Sequence, residues 1–284
     1  MLYDQIIVPF DGTREASAAA QIGADLSTLF DAPLLLLTSA RTDQPHDLAQ
    51  LKERAVDMTT DTVEVWVDSG STPSAAVAAA VAHRENALVV MASHARTGVR
   101  RALFGSLVED VLGAVDTPVL ALGPRCDLRD PVDLRQAVLC VDASATAEAA
   151  LTLAAAWTSA LRLRALLLHV RVPDRGSDRR GDRGRGKEFD FSPLVSTLRG
   201  VCDDIETAVV DAPSVAEGIT LAVQGTAPSV VVMATHGRQG LDRFAHGSVT
   251  ADVVRASSVP VLVQRGTASL GLAWLQHGEG EGEA

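Results

Sequence analysis

Two near-identical loops carry the residue types most able to hold an anion. One runs Ala234-Thr235-His236-Gly237-Arg238-Gln239-Gly240 and is followed by Gly247-Ser248-Val249; the other runs Ala92-Ser93-His94-Ala95-Arg96 and is followed by Gly105-Ser106-Leu107. Glycine lets a ligand approach the backbone closely, and the N–H groups that open a helix attract negative charge. A Gly-Ser pair at that point adds a hydroxyl donor, so each segment has the parts of a phosphate cradle. The same residues also make an ordinary turn with an N-cap. Upstream lie two carboxylates, each just after a short apolar run: Pro9-Phe10-Asp11-Gly12-Thr13 and Cys140-Val141-Asp142-Ala143-Ser144. An aspartate there can accept hydrogen bonds from a sugar hydroxyl or a base edge, or it can cap the next helix.

Other motifs carry less. Gly181-Asp182-Arg183-Gly184-Arg185-Gly186-Lys187 matches the body of a P-loop, but Glu188 stands where a hydroxyl is needed for magnesium. His94 and His236 are solitary, and no G-x-S-x-G, H-E-x-x-H or G-x-G-x-x-G occurs. No metal site is expected, and no general base or carboxylate cluster stands beside the cradle, so an enzyme is not expected. Cys126, Cys140 and Cys202 are an odd number without C-x-x-C spacing, which disfavours a disulfide scaffold. A net charge of −11 and 4% aromatic residues argue against a nucleic-acid partner. No stretch reads as a bilayer span, and the opening MLYDQIIVPFDG lacks the basic region of a secretory signal. The expected location is cytoplasmic.

The elements that must position these loops are written twice in the 284 residues. Val89-Val90-Met91-Ala92-Ser93-His94 recurs as Val231-Val232-Met233-Ala234-Thr235-His236, a shift of 142 that also carries Gly105-Ser106 to Gly247-Ser248 and Pro118-Val119-Leu120 to Pro260-Val261-Leu262. Earlier in each copy the shift is 131, taking Asp11 to Asp142 and Leu35 to Leu166. The tract from Asp174 to Lys187, without an apolar residue, accounts for the difference.

Two domains are expected, 1–124 and 135–265, with a linker over 125–134 and a tail over 266–284. In the first copy the periodicity predicts strands at 5–9, 34–38, 63–67, 88–92 and 119–122. Helices are predicted at 13–30, 47–60, 74–84 and 106–114. Buried strands alternating with amphipathic helices give an α/β fold: two tandem, doubly wound, parallel five-stranded sheets of Rossmann-like type. Ligands bind such sheets beyond the carboxyl ends of the strands. The last strand of each copy is apolar and lies near a sheet edge, so the copies are expected to pair there about a pseudo-twofold axis, as an intramolecular pseudo-dimer.

The loop Met233 to Gly240 with Gly247-Ser248-Val249, together with the first-strand aspartate, resembles the ATP-binding signature of the universal stress proteins, G-x2-G-x9-G-[S/T]. The resemblance spans both copies. It implies an adenine-nucleotide-α-hydrolase-like fold and a regulatory, stress-response module that binds ATP with Mg²⁺ on its phosphates. It implies a site in the second domain made by Cys140, Asp142, Val170, Ala234, Gly237, Arg238, Gly247, Ser248 and Val249. A more degenerate site in the first is made by Pro9, Asp11, Gly105, Ser106 and Leu107. In the second copy Ala234 replaces the first signature glycine; in the first, Ala92 and Ala95 replace the two leading ones, and Thr38 and Ser39 stand where the second copy has His169 and Val170. An interaction scaffold without nucleotide and a weak ATPase are the alternatives. A protein partner of unknown identity, and a homodimer, are further options.

The Arg/Gly tract has no apolar residue, and closing a shorter loop changes the entropy little. Deleting Arg175–Arg185 is therefore expected to move the melting temperature by less than about 4 °C, as read by thermal denaturation.

Overall fold

The structure, a computed structural model, describes residues 1–39, 63–68, 71–93, 106–126, 132–142, 147–173, 189–224, 226–235 and 249–266. The helix expected at 47–60, the Arg/Gly tract and the tail cluster around Trp274 lie outside the described residues.

Among the described residues, ten strands form one sheet. In the first copy these are β1 (Gln5–Pro9), β2 (Leu34–Ser39), β3 (Val63–Asp68), β4 (Ala87–Ala92) and β5 (Val119–Leu122). In the second they are β6 (Gln136–Cys140), β7 (Arg164–Arg171), β8 (Ile205–Asp211), β9 (Ser229–Thr235) and β10 (Val261–Arg265). The described helices are α1 (Arg14–Phe30), α2 (Pro73–Val81), α3 (Ser106–Ala114), α4 (Ala147–Leu161), α5 (Ser192–Leu198), α6 (Val215–Val223) and α7 (Val249–Ala256).

The strand order is β3-β2-β1-β4-β5-β10-β9-β6-β7-β8. Pairing is parallel within each copy and antiparallel only between β5 and β10. The two expected five-stranded sheets are thus halves of one. Their junction is symmetric: Leu120 pairs with Leu262, its own counterpart in the other copy, and Val119 and Ala121 pair with Val263 and Val261. Each last strand would otherwise expose an apolar edge, and each supplies the cover the other needs.

The strands are apolar on both faces, as parallel strands covered by helices must be. Ile6 and Val8 of β1 face one core with Leu34, Leu88, Leu120, Val232 and Leu262, covered by α1, α4 and α5. Ile7 faces the other with Leu35, Val89, Val119, Met233 and Val261, covered by α2, α3, α6 and α7. Both cores run through the junction without a break.

Local signals fix the helix starts. Thr13 accepts from the Ala16 N–H, Thr72 precedes Pro73 and accepts from Ala75 N–H, and Ser214 accepts from Glu217 N–H. These side chains satisfy N–H groups that have no partner inside the helix.

Leu262 is fully buried at the centre of the junction. Leu262→Ala is expected to lower the unfolding free energy by about 2–5 kcal/mol in urea titration, because it removes core contact where the sheet cannot collapse to refill the space.

Candidate functional site

In each half the strand order reverses beside the first strand: β1 has β2 on one flank and β4 on the other, and β6 has β7 and β9. Such a reversal leaves a crevice beyond the carboxyl ends of the two central strands. The chain ends that meet there are the ones the sequence singled out. Pro9 ends β1 and Asp11 follows it, beside β4, which ends at Ala92; Cys140 ends β6 and Asp142 follows it, beside β9, which ends at Ala234 and Thr235. Pro9, Cys140, Ala92 and Ala234 are half-buried at the crevice floors, whereas Asp11 and Asp142 are exposed.

The two aspartates can be compared only in part. Asp11 Oδ1 accepts from the Thr13 N–H at 3.0 Å and from the Thr13 hydroxyl at 2.6 Å. Thr13 in turn caps α1. In the first half the carboxylate therefore serves the turn into the helix. The residues after Asp142, numbers 143–146, lie outside the described residues. So do Gly105, Gly237, Arg238, Gly247 and Ser248, together with His94 and His236. Of the helix openings, α3 begins at Ser106 with Leu107 exposed, and α7 begins at Val249, also exposed. Backbone N–H groups in such a first turn have no partner within the helix.

The ends of the first strands are braced alike. Phe10 N–H donates to Leu37 carbonyl at 2.8 Å, and its counterpart Val141 N–H donates to Leu168 carbonyl at 2.9 Å. Among the described residues, a side chain adds to this brace in the second half. His169 Nδ1 donates to the Val141 carbonyl at 3.0 Å, and its ring stacks on Phe189 with centroids 4.2 Å apart and planes 16° from parallel. The imidazole thus ties β7 to the turn that carries Asp142. Thr38, buried at the matching place in the first half, has no ring to do this. Phe189 was not singled out from the sequence; the available signal was an aromatic side chain in a chain with few of them.

Val170 is half-buried near the end of β7, and its methyl groups face α6. A Cβ on Gly218 would run into them, so the helix lies close against the strand only because residue 218 is glycine. Cys140 is half-buried at the end of β6, and burial pushes its thiol up to about 12. It is therefore a neutral thiol at physiological pH, not a nucleophile.

A shallow cleft of about 650 Å³ lies elsewhere, between α5 and the edge strand β8, lined by Phe191, Val195, Arg199 and Thr207. On its rim the Ser192 N–H donates to Asp190. Phe189, whose ring stacks on His169, also lines it. Among the described residues, no group of three or more His, Cys, Asp or Glu side chains gathers to hold a metal, and no helix is long and apolar enough to cross a membrane.

Comparison with known proteins matches this architecture. No curated protein gives a significant match. Among solved structures, a universal stress protein from Archaeoglobus fulgidus DSM 4304 is 15% identical with a TM-score of 0.67, covering 93% of this chain and 99% of that one. A putative universal stress protein from Pseudomonas aeruginosa UCBPP-PA14 is 15% identical with a TM-score of 0.56, covering 93% of both chains. A functionally unknown protein from Pseudomonas aeruginosa PAO1 has the same identity and TM-score, covering 93% of this chain and 92% of that one. These likenesses concern the fold. The profile of the Universal stress protein family matches residues 39–123 and again 134–265, most of the sequence and once in each copy. The chain belongs to the universal stress protein family, as a tandem member with two such domains.

Proposed function

We propose that the chain is a regulatory module that binds an adenine nucleotide, ATP with Mg²⁺, in the crevice of the second half. The observation that carries the reading is the meeting, at the strand-order reversal, of Asp142 after β6 with the end of β9. From there the chain continues into the Gly237 and Gly247-Ser248 loop and the start of α7. Asp142 would hold the ribose, Val170 and the floor at Cys140 and Ala234 would take the adenine, and Gly237 would allow the phosphates close to the backbone. Gly247, Ser248 and the Val249 N–H would face those phosphates, with Arg238 nearby. When bound, the group would supply a charged triphosphate carrying Mg²⁺; the chain's own residues would bind and orient it. His169 keeps the Asp142 turn in place through the Val141 carbonyl. The absence of a general base beside the cradle in the sequence favours binding over hydrolysis.

The first half supports a weaker version of the site. There Ala92 and Ala95 stand at the two leading glycine positions. Asp11, Pro9, Gly105, Ser106 and Leu107 leave it a partial cradle. A scaffold role without nucleotide is the reading these replacements favour for that half.

Calorimetric titration with Mg-ATP tests the asymmetry. Gly237→Val is expected to weaken binding about tenfold or more, the loss of one charge-assisted contact of about 1.5–3 kcal/mol, and Gly105→Val to leave the stronger site intact. The opposite pattern would assign the competent site to the first half.

Cys140 gives a second readout. Its raised pKa favours the neutral thiol in the folded state, so the associated stability is fully present below the unfolded thiol's pKa and is lost as pH rises towards about 12. At pH 8 the folded chain should therefore alkylate at Cys140 far more slowly than after unfolding, by peptide mass mapping. Equal rates would show an accessible thiolate at the crevice floor.

A further inference from the structure

The seam between the halves is symmetric in its backbone, centred on Leu120 and Leu262, but not in its side chains. Three contacts across it have no equivalent on the opposite side.

The first is aromatic. Tyr3 and Phe30 of the first half pack edge to face with centroids 5.1 Å apart, and Phe30 meets Trp157 of the second half at 5.4 Å. Trp157 Nε1–H donates to the Tyr3 hydroxyl at 2.6 Å, and both residues are fully buried. The symmetry counterparts of Tyr3, Phe30 and Trp157 are Leu134, Leu161 and Leu26, all aliphatic.

The second and third are at the strand ends. Arg265, ending β10, reaches the first half: Nη1 donates to Asp116 Oδ1 at 2.7 Å and Nη2 to the Gly113 carbonyl at 2.7 Å. Next to it, the fully buried Gln264 donates to the Asp116 carbonyl at 2.8 Å. A guanidinium at the end of α3 also suits the negative pole of that helix. The counterpart of Arg265 is Gly123, which lies against the last turn of α7. A Cβ there would overlap the Val254 carbonyl oxygen, a backbone atom that cannot swing aside.

We infer that this surface is heterotypic: each half is built to recognise the other and not a second half of its own kind. Pairing two first halves would set Tyr3 against Leu26, burying a hydroxyl without its donor, and would leave Asp116 without an arginine. Pairing two second halves would set the Trp157 N–H against Leu134 and bring Arg265 to Arg255 and Ser258, the counterparts of Gly113 and Asp116. Buried polar groups without partners and like charges at contact both disfavour these alternatives. The partner that fits β5 and its flanks is therefore the second half of the same chain. Another copy can enter only by contributing the opposite half.

The test uses full-length protein and variants that exchange symmetry counterparts without changing composition. If the two sides were interchangeable, Gly123→Arg with Arg265→Gly, and separately Tyr3→Leu with Leu134→Tyr, would melt like the wild type. The heterotypic seam predicts that each exchange lowers the melting temperature by at least about 4 °C. A melting temperature unchanged by either exchange would overturn the proposal. Swapping the ion pair in place distinguishes lost recognition from damaged packing. Arg265→Asp alone should lower the melting temperature by about 2–4 °C, and adding Asp116→Arg, which restores an opposite pair across the same seam, should recover at least half of that loss. No recovery would equally overturn it.

Discussion

The constraint that organises the molecule is the antiparallel pairing of β5 with β10. A five-stranded parallel half ends in an apolar edge strand, and two such halves related by a twofold axis can only meet edge to edge with opposite strand directions. That single ladder makes the sheet continuous and joins both apolar faces into cores that span the chain. It also sets the geometry of function. Because strand direction inverts at the junction, the carboxyl ends of β1 and β4 lie at one end of the sheet and those of β6 and β9 at the other. The two crevices therefore open in opposite directions.

Much of this was legible in the sequence. The repeat is exact over Val-Val-Met-Ala, the strands between residues 5 and 122 fall within a residue or two of where the apolar runs end, and edge apolarity in the last strands pointed to their pairing. What could not be read was the sharing of a single sheet by both copies, because register between distant segments is set by packing and leaves no local pattern. The crevice residues were legible by position, since strand ends in a doubly wound sheet are fixed by the same periodicity that fixes the strands. Their engagement was not. Asp11 could have been a ligand or a cap on composition alone, and only the bonds to Thr13 show it serving the helix start. The His169–Phe189 stack joins residues on either side of the Arg/Gly tract, so no spacing rule predicts it.

Scarce side chains are placed where ordinary apolar packing would leave alternatives open. The chain is 4% aromatic. Tyr3, Phe30 and Trp157 nevertheless converge at the half-to-half contact, and Phe189 and Phe191 cluster beside His169. Leucine and valine fill either core but fit many partners equally well. A buried indole N–H aimed at a buried phenol fits one, and burial also pushes the Tyr3 hydroxyl's pKa up, keeping it neutral. The aliphatic residues supply most of the area removed from water, while these few polar and aromatic contacts choose among packings of similar area.

This division of labour explains how the copies can differ in their crevices while sharing a fold. The strand interiors, Val89–Met91 and Val231–Met233, are identical and buried, and they bear on the cores of both halves. Of the leading signature positions, Ala92 ends β4 and Ala234 lies near the end of β9, and both pack against the core from half-buried positions. The sheet accommodates the methyl groups of both alanines at these strand ends. The opposite holds at Gly218 and Gly123, where an added methyl would strike Val170 or the Val254 carbonyl. Alanine is thus accommodated at the strand ends that border the crevices, while glycine at the packing contacts is required by the fold itself.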